Sequence, residues 1–302
     1  MTFDGDYFAN EIREGFYVES MMKRVWAAQL VVLQEIDRIC KRNGITYFAD
    51  WGTLLGAIRH KGFIPWDDDV DIAMKRSDYQ KFLYIARKEL SEGYYLHEVS
   101  THGHQQPFSR VVNSHEISFQ KEHIERFYGC YYIVGIDIFP LDFISGSKSE
   151  EEVQCQMLII LLTAVEFCKE GMKQQLGEVL YQMEEVFSIR INQCDDVLGE
   201  LLRLIDRISS LSEEGSQLTL MPYFAQNRDF RLDKEWYDKV VWMPFENVLV
   251  PVPEKYDCIL KKMYGDYWEP IRNIAGHEYP FYKRQKEIVE ELLRSEKKYG
   301  KI

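Results

Sequence analysis

The sequence has no cysteine pair at a spacing that would hold a structural metal. Its six cysteines are scattered, and none forms a C-x-x-C pair, which argues against a structural zinc site. Most of them lie among apolar residues, where a free cysteine behaves as a small buried side chain. We therefore expect a reduced protein with a cytoplasmic location.

Long hydrophobic runs are also missing. The most apolar stretch, Met157 to Val165, is much shorter than the roughly 20 residues that a membrane-spanning helix needs. It predicts a buried helix, so we expect no transmembrane segment. The N-terminal residues are acidic and contain no apolar core, so we expect no signal peptide either.

Positive charge is scarce relative to negative charge. The 302 residues carry a formal net charge of −12, and a field of that sign repels phosphate polyanions. We therefore expect no nucleic acid partner, although a local basic cluster can still bind a small phosphorylated molecule. The composition, 46% hydrophobic and 28% charged, is that of a globular chain long enough to bury a large core.

Apolar periodicity divides the chain into four parts. Residues 1–19 show no clear period and are predicted to form an N-terminal arm. Residues 20–147 combine helical and strand patterns and form the predicted catalytic core. Residues 148–215 have helical spacing and almost no strand signals, which predicts a helical region. Residues 216–302 contain a hairpin pattern and a charged terminal helix, and they are predicted to lie on the substrate side.

Within the predicted core, a helix over Ser20–Asn43 and a turn into a second helix over Gly52–His60 alternate with short strand patterns. The predicted strands are Ile45–Ala49, Asp69–Met74, Tyr94–Val99, Phe108–Val112, Ile117–Gln120 and Tyr131–Phe139. This mixture predicts an α+β fold: a mixed sheet flanked by helices, with the helical region as an insertion or second subdomain.

Asp67, Asp68, Asp69 and Asp71 form the most unusual feature of the sequence. Like charges this close repel one another, so a folded site that keeps them together usually binds a cation. Strand alternation would place Asp69 and Asp71 on one face and the intervening apolar residues on the other. The pattern favours two carboxylates that chelate Mg²⁺ or Mn²⁺; a solvated acidic turn is the alternative.

A calcium loop of the EF-hand type does not fit the same residues. The sixth position of such a loop, Ile72 here, requires glycine, and the twelfth, Asp78 here, requires glutamate. A third carboxylate is available farther along the chain at Asp137, which two isoleucines flank. A lone charge inside an apolar strand is costly to bury unless it is paired or bound to a metal. We therefore predict Asp69, Asp71 and Asp137 as the metal ligands.

Phosphate-binding candidates lie between the first helix and the acidic cluster. Gly52 and Thr53 open the second helix, where backbone N–H groups and the helix dipole attract phosphate. Arg59, His60 and Lys61 are further candidates. The alternative for these three is an ordinary basic helix C-terminus, which the dipole also favours.

The run from Gly52 to Ile72, GTLLGAIRHKGFIPWDDDVDI, resembles the hallmark of the LicD family. That family includes bacterial phosphorylcholine transferases and, more distantly, the fukutin-type proteins. Three later pieces resemble it in the same order: Gly135 to Asp142, the segment around Pro251 and Pro253, and Tyr264 to Asp266.

The resemblance implies a fold similar to the nucleotidyltransferase superfamily. In that superfamily a Gly-Ser or Gly-Thr turn, a D-x-D strand and a third aspartate form the site. By position, Gly52 and Thr53 would hold the phosphates of the nucleotide. The implied metal ligands are Asp69, Asp71 and Asp137. Asp67 and Asp68 would lie beside these ligands or face the substrate. Trp66 is a candidate for a choline cage.

The resemblance also implies a reaction: transfer of a phospho-alkyl group, typically phosphocholine from CDP-choline or another CDP-alcohol, to a hydroxyl of a cell-surface glycan or teichoic-acid-type precursor. The acceptor can be lipid-linked, which leaves open a peripheral contact with the inner face of the membrane. Asp137 is the candidate general base. Trp51, Tyr264 and Trp268 are, with Trp66, the candidates for an aromatic cage around choline.

Two other functions stay open at this point. One is a nucleotidyltransferase that moves a nucleotide from an NTP to a small acceptor. The other is a glycan-binding protein without catalytic activity.

Overall fold

The protein is described here by a computed structural model, which covers residues 1–191, 196–272 and 279–298. The described helices are α1 (Ser20–Asn43), α2 (Trp51–Arg59), α3 (Arg76–Glu89), α4 (Lys121–Arg126), α5 (Lys148–Lys169), α6 (Lys173–Phe187), α7 (Val197–Ser209), α8 (Met221–Gln226), α9 (Tyr256–Tyr264) and α10 (Lys283–Lys298). The described strands are β1 (Glu11–Arg13), β2 (Phe16–Val18), β3 (Phe48–Ala49), β4 (Asp71–Lys75), β5 (Tyr95–His97), β6 (Ser109–Val112), β7 (Gly135–Phe143), β8 (Gln217–Thr219), β9 (Leu232–Asp233), β10 (Val240–Phe245) and β11 (Val248–Pro253).

A mixed sheet of seven strands forms the centre of the molecule. The strands follow the order β3-β4-β7-β6-β5. In addition, β8 pairs with the C-terminal end of β7, and β9 pairs with β8. The strands β4 and β7 are parallel, whereas the other neighbouring pairs are antiparallel. The predicted α+β fold, a mixed sheet flanked by helices, is confirmed.

The helix α1 spans the residues that the sequence predicts, because its apolar residues recur at helical spacing and Gly44 ends it in the left-handed conformation. Its buried face lies in the main hydrophobic core, where the fully buried Trp26 stacks on Phe63 with the ring centroids 4.7 Å apart. The same face carries a buried polar residue, Gln29.

The helices α5, α6 and α7 occupy the region that the sequence predicts to be helical, and with α8 they enclose a second hydrophobic core. A buried ion pair connects this region to the sheet. Arg76 donates to both carboxylate oxygens of Asp142 on β7, at 2.6 and 2.8 Å, and to Asp206 on α7 at 2.6 Å. Burial alone would lower the pKa of Arg76, but the two carboxylates outweigh it and raise that pKa.

Four segments differ from their predicted structure, the first of them the strand predicted from Ile45, which begins at Phe48. The strand predicted from Asp69 begins at Asp71, and the strand predicted from Tyr131 begins at Gly135. The segment Ile117–Gln120 is not a strand. The apolar pattern alone set the predicted starts, whereas a strand begins only where a neighbouring strand offers backbone partners.

Residues 1–19, for which the sequence gives no period, pack against the rest of the protein. The strands β1 and β2 form a hairpin, and Val18 at its end is fully buried in the main core. Arg13 donates to the carboxylate of Glu246 at 2.7 Å. Among the described residues, no helix is long and apolar enough to cross a membrane.

Candidate active site

The side chains of Asp69 and Asp71 face the same side of the sheet, as strand alternation predicts, although Asp69 lies before the first residue of β4. Val70 and Ile72 are each 1% exposed and lie in the main core, whereas Asp69 and Asp71 line a cavity. The alternation of side-chain direction therefore begins at Asp69, two residues before the first residue of β4 that pairs with β7.

Asp71 and Asp137 lie side by side on neighbouring strands. They are register partners in the parallel pair of β4 and β7, and the Asp137 N–H donates to the Val70 carbonyl at 3.2 Å. Asp137 is 9% exposed and does not belong to the cavity lining. The fold thus brings together two aspartates that lie far apart in the sequence.

The acids of this loop strongly influence one another. Burial raises the pKa of Asp67 well above its usual value, and the neighbouring Asp69 raises it further. Burial also raises the pKa of Asp71, and the charges of Asp69 and Asp137 add to this effect. Asp67, Asp68 and Asp69 offer carboxylate oxygens within 4.8 Å of one another. Crowded carboxylates of this kind are the oxygen donors that a hard divalent cation prefers, so these three side chains fit Mg²⁺ or Mn²⁺. Of the three predicted ligands, only Asp69 belongs to this group, whereas Asp71 and Asp137 lie beside it on β4 and β7.

Asp68 does not line the cavity. It is fully buried, and its Oδ2 accepts a hydrogen bond from the Phe281 N–H at 2.7 Å. This bond ties the segment before α10 to the acidic loop. The structure therefore places Asp67 in the cavity wall and Asp68 behind it.

Side chains of α1 hold the backbone of the acidic loop. The Trp26 Nε1–H donates to the Asp67 carbonyl at 3.1 Å, and the Gln29 amide donates to the Asp68 carbonyl at 2.9 Å. Because both carbonyls are bonded to side chains, they do not pair with a strand. The loop is thereby fixed against a helix that precedes it in the chain.

The turn into α2 approaches the carboxylates closely. A Cβ atom at Gly52 would lie 2.2 Å from Asp67 Oδ2, so a larger residue there would have to displace the Asp67 carboxylate. Trp51, just before it, has a φ of +43°, which is uncommon for a residue with a large side chain. Gly52 lines the cavity at the start of the helix.

Thr53 supports Asp71 and does not line the cavity. Its Oγ1 accepts a hydrogen bond from the Asp71 N–H at 2.8 Å, and the residue is 2% exposed. Of the two residues that are predicted to hold phosphate, Gly52 thus borders the cavity, whereas Thr53 connects α2 to the start of β4.

Of the three predicted basic residues, the structure brings only Arg59 to the cavity. Its Nη1 donates to the Tyr267 carbonyl at 2.7 Å, and burial lowers its pKa. Within the part of the chain that the structure describes, no carboxylate forms an ion pair with it. His60 instead lies 3.3 Å from a carboxylate oxygen of Glu14, and Lys61 is exposed.

The cavity beside the acids has a volume of about 820 Å³, within the range of small-molecule sites. Aromatic side chains from separate parts of the chain line it: Trp51, Trp66, Phe108, Phe139, Tyr223, Tyr264 and Tyr267. Trp268, the remaining candidate for a choline cage, is outside the lining and 57% exposed. Two further carboxylates, Asp266 and Glu269, complete the wall near Tyr264.

Comparison with known proteins identifies the domain that carries these acids. Residues 44–156 match the family model described as "LicD/FKTN/FKRP, nucleotidyltransferase domain". By this similarity, residues 44–156 are called the LicD-type domain. The match contains α2, the acidic loop and the first nine residues of α5, and it takes in Gly52, Asp71 and Asp137.

Curated proteins match parts of the same chain. One is the lipopolysaccharide cholinephosphotransferase LicD of Haemophilus influenzae, which is 51% identical over 69 residues, 22% of this chain and 26% of that protein. An uncharacterized protein of Rickettsia typhi is 38% identical over 63 residues, 21% of this chain and 20% of its own length. An uncharacterized protein of Rickettsia prowazekii is 43% identical over 47 residues, 16% of this chain and 18% of its own length. The matches thus span about a quarter or less of the curated relatives.

The LicD-type domain supplies one wall of the cavity, and residues beyond it supply the rest. Leu162 comes from α5 of the helical region, Tyr223 comes from α8, and Tyr264 ends α9. The sequence marks Tyr264 as aromatic, but it contains no signal that Leu162 or Tyr223 would reach the acids. Leu162 comes from a segment whose apolar spacing indicates only a buried helix, and Tyr223 comes from a stretch of aromatic and β-branched residues.

Sequence reasoning also missed Arg110, which contacts Asp137 directly. Arg110 on β6 is the antiparallel register partner of Asp137. Its Nε donates to Asp137 Oδ1, and its Nη2 donates to Oδ2 at 2.6 Å. The expected strand over Phe108–Val112 was the available signal, since a basic residue in one strand can pair with the lone acid of the next.

Proposed function

We propose that this chain transfers phosphocholine from CDP-choline, with Mg²⁺ or Mn²⁺, to a hydroxyl of a cell-surface glycan. The observation that carries the proposal is the group of carboxylates at and before the start of β4: Asp71 beside Asp137 on parallel strands, with Asp67 and Asp69 in the cavity wall. The 51% identity to a lipopolysaccharide cholinephosphotransferase in one segment supports the same chemistry.

In this proposal Asp69 and Asp71 hold the cation from the cavity side, and Asp137 holds it from the neighbouring strand. The cation offsets negative charge on the phosphoryl oxygens. The carboxylates suit this task because bringing their charges together without a cation is unfavourable, as the raised pKa values of Asp67 and Asp71 indicate.

The phosphates of the donor bind between the start of α2 and Arg59. The first backbone N–H groups of a helix, here at Gly52, attract phosphate. Arg59 borders the same cavity, and no described carboxylate neutralises it at ion-pair distance. A guanidinium in that situation gains from an anionic ligand more than a paired one does.

The choline group binds against the aromatic wall. A trimethylammonium cation is attracted to the faces of aromatic rings, and Trp51, Trp66 and Tyr264 all border the cavity. Asp266 and Glu269 add negative charge to that wall. Burial raises the pKa of Tyr264, and the charges of the nearby aspartates add to this effect, so Tyr264 is close to the acids and we assign the choline subsite to this side.

The reaction is an in-line displacement. The acceptor hydroxyl oxygen forms a bond to the phosphorus next to choline, the bond from that phosphorus to the CMP oxygen breaks, and CMP leaves with the bonding electrons. A general base takes the hydroxyl proton. Asp137 stays the predicted base, although Arg110 bonds to both of its oxygens. The acceptor is a glycan precursor that can be lipid-linked, and a cytoplasmic location at the inner membrane face belongs to the same proposal.

Release of CMP from CDP-choline in the presence of Mg²⁺ tests the proposal. We expect wild-type protein to release CMP, and we expect Asp69→Asn and Asp71→Asn to lower the rate by at least about a hundredfold, because each removes a charge that binds the cation. Asp4→Asn, at an exposed residue outside the cavity lining, is the charge-matched control and should retain the rate.

Thermal-shift measurements with CDP-choline, CDP-glycerol, CTP and ATP, each with Mg²⁺, distinguish the alternatives. A nucleotidyltransferase would be stabilised by an NTP and by no CDP-alcohol, and that result would contradict the proposal. A glycan-binding protein without activity would release no CMP from any CDP-alcohol. Asp137→Asn tests the base separately: full activity in this variant would exclude Asp137 from that role.

A further inference from the structure

The guanidinium of Arg110 forms bidentate hydrogen bonds with the carboxylate of Asp137. The two residues face each other in the antiparallel pair of β6 and β7, and the guanidinium donates to each of the two oxygens. The side chain of Arg110 is 45% exposed, whereas that of Asp137 is 12% exposed. The arginine can therefore move toward solvent, but the carboxylate cannot.

Gly135 makes room for this arginine. A Cβ atom at Gly135 would lie 2.9 Å from both Cγ and Cδ of Arg110, so the stem of the arginine lies across the glycine. Gly135 opens the Gly-Ile-Asp segment that the sequence singles out, and its role is explained by this contact. The segment thus carries the acid and also the space for the residue that pairs with it.

The charge of Arg110 also interacts with the other acids of the site. Burial alone would lower its pKa, but Asp137 outweighs this effect, and Asp71 and Asp69 raise the pKa further. A carboxylate offers about four lone-pair positions, and a bidentate arginine occupies two of them. A divalent cation at the same carboxylates would share Asp137 with a positive group and would be repelled by it.

We propose that Arg110 sets the metal affinity of the site, because it competes with the divalent cation for the carboxylate of Asp137. This inference rests on the proposed metal site, in which Asp137 is a ligand. Arg110 is then a positioning residue: it acts on the cation through Asp137. A purely structural role, in which the pair only stabilises the sheet, makes a different prediction for metal binding.

A second arginine in the same protein provides a matched control. Arg87 donates to both carboxylate oxygens of Glu98, at 2.7 and 2.5 Å, and its side chain is 49% exposed. This pair therefore resembles that of Arg110 and Asp137 in geometry and exposure. Neither member lines the cavity.

The test is isothermal titration of the full chain with Mn²⁺ alone, without a nucleotide donor. We expect Arg110→Gln to bind Mn²⁺ roughly tenfold more tightly than wild type, which is about the effect of removing one partly exposed charge from a ligand. Gly135→Ala, which displaces the stem of Arg110, should tighten binding by a smaller factor. Arg87→Gln should bind Mn²⁺ as wild type does.

The outcomes separate this inference from the metal site itself. If wild type binds Mn²⁺, Asp137→Asn weakens binding, and Arg110→Gln binds as wild type or more weakly, then the inference is overturned and the metal site stands. If neither wild type nor Arg110→Gln binds Mn²⁺, the metal site and the inference both fail. Circular dichroism of each variant checks that a changed affinity does not reflect a changed fold.

Discussion

The hydroxyl of Thr53 is expected to fix the start of β4, and replacing Thr53 by valine tests this. The Thr53 Oγ1 accepts the Asp71 N–H at 2.8 Å, and Thr53 is 2% exposed, so water cannot easily replace the hydroxyl. Valine has nearly the same shape but no acceptor. The Asp71 N–H would then be buried without a partner.

An unpaired buried N–H costs about 1–3 kcal/mol. Taking about 2 kcal/mol, and about 2–4 °C for each kcal/mol in a domain of this size class, we expect the Thr53→Val variant to unfold roughly 4–8 °C below wild type. Thr53→Ser retains the acceptor and loses one methyl group, which costs about 1 kcal/mol. Its melting temperature should therefore lie between those of wild type and Thr53→Val.

Thermal unfolding followed by circular dichroism, together with Mn²⁺ titration, provides the assay. Because Asp71 is a proposed ligand, Thr53→Val should also bind Mn²⁺ more weakly than Thr53→Ser does. If the Thr53→Val variant has the melting temperature of wild type and loses only the binding of CDP-choline, then the hydroxyl of Thr53 does not stabilise the start of β4. The hydroxyl would then contact donor phosphate, as the resemblance implies.

Two further predictions concern the ion pairs and the acids. Arg76→Met leaves the 1%-exposed Asp142 unpaired and should lower the free energy of unfolding, measured in urea, by about 3–5 kcal/mol. Arg203→Met breaks an exposed pair and should lower it by less than about 1 kcal/mol. Equal losses in the two variants would contradict this prediction. Because the pKa values of Asp67 and Asp71 are raised, protons compete with the cation up to a higher pH than at an ordinary carboxyl, so Mn²⁺ affinity should still rise with pH above the range around pH 4 in which an ordinary aspartate titrates. A constant affinity above that range, measured by titration calorimetry, would show that these carboxyls do not exchange protons for the cation.

Local patterns in the sequence were enough to predict the elements around the site. The helix α1 has the predicted bounds, α2 begins within one residue of its predicted start, and the β10–β11 hairpin contains the predicted segment from residue 242 to 253. Each of these depends on residues close together in the chain: apolar spacing, a terminal glycine and a tight turn. The facing of Asp69 and Asp71 was predicted in the same way.

The strand boundary at Asp71 depends on contacts that no local pattern contains. The carbonyls of Asp67 and Asp68 accept hydrogen bonds from Trp26 and Gln29 on α1, so these residues form a loop ahead of the strand. A polar residue on the buried face of a helix, such as Gln29, is a sequence signal for a long-range hydrogen bond. It does not identify the partner.

The arm predicted at residues 1–19 shows the same limit. Its sequence has no period, yet Arg13 reaches Glu246, and Glu246 in turn accepts the N–H of Phe63 at 3.2 Å. The hairpin of β1 and β2 is thus connected to the segment between α2 and the acidic loop. Such packing follows from tertiary contacts between distant parts of the chain and leaves no trace in local periodicity.

In the proposed function, the acids that carry the chemistry and part of the wall that selects the substrate come from different parts of this protein. The match to the LicD-type domain ends at residue 156, and it contains the acids and the turn into α2. Leu162, Tyr223 and Tyr264 line the same cavity from beyond that point. High identity over a short segment therefore supports a shared phosphoryl chemistry, but part of the cavity wall, including Tyr264 of the proposed choline subsite, lies beyond residue 156. Substitutions at Tyr223 or Tyr264 should change which CDP-alcohol is used, whereas substitutions at Asp69 or Asp71 should abolish the use of every one. Comparing CMP release from CDP-choline and CDP-glycerol in both sets of variants distinguishes these two effects, and a uniform loss with all four variants would contradict the division.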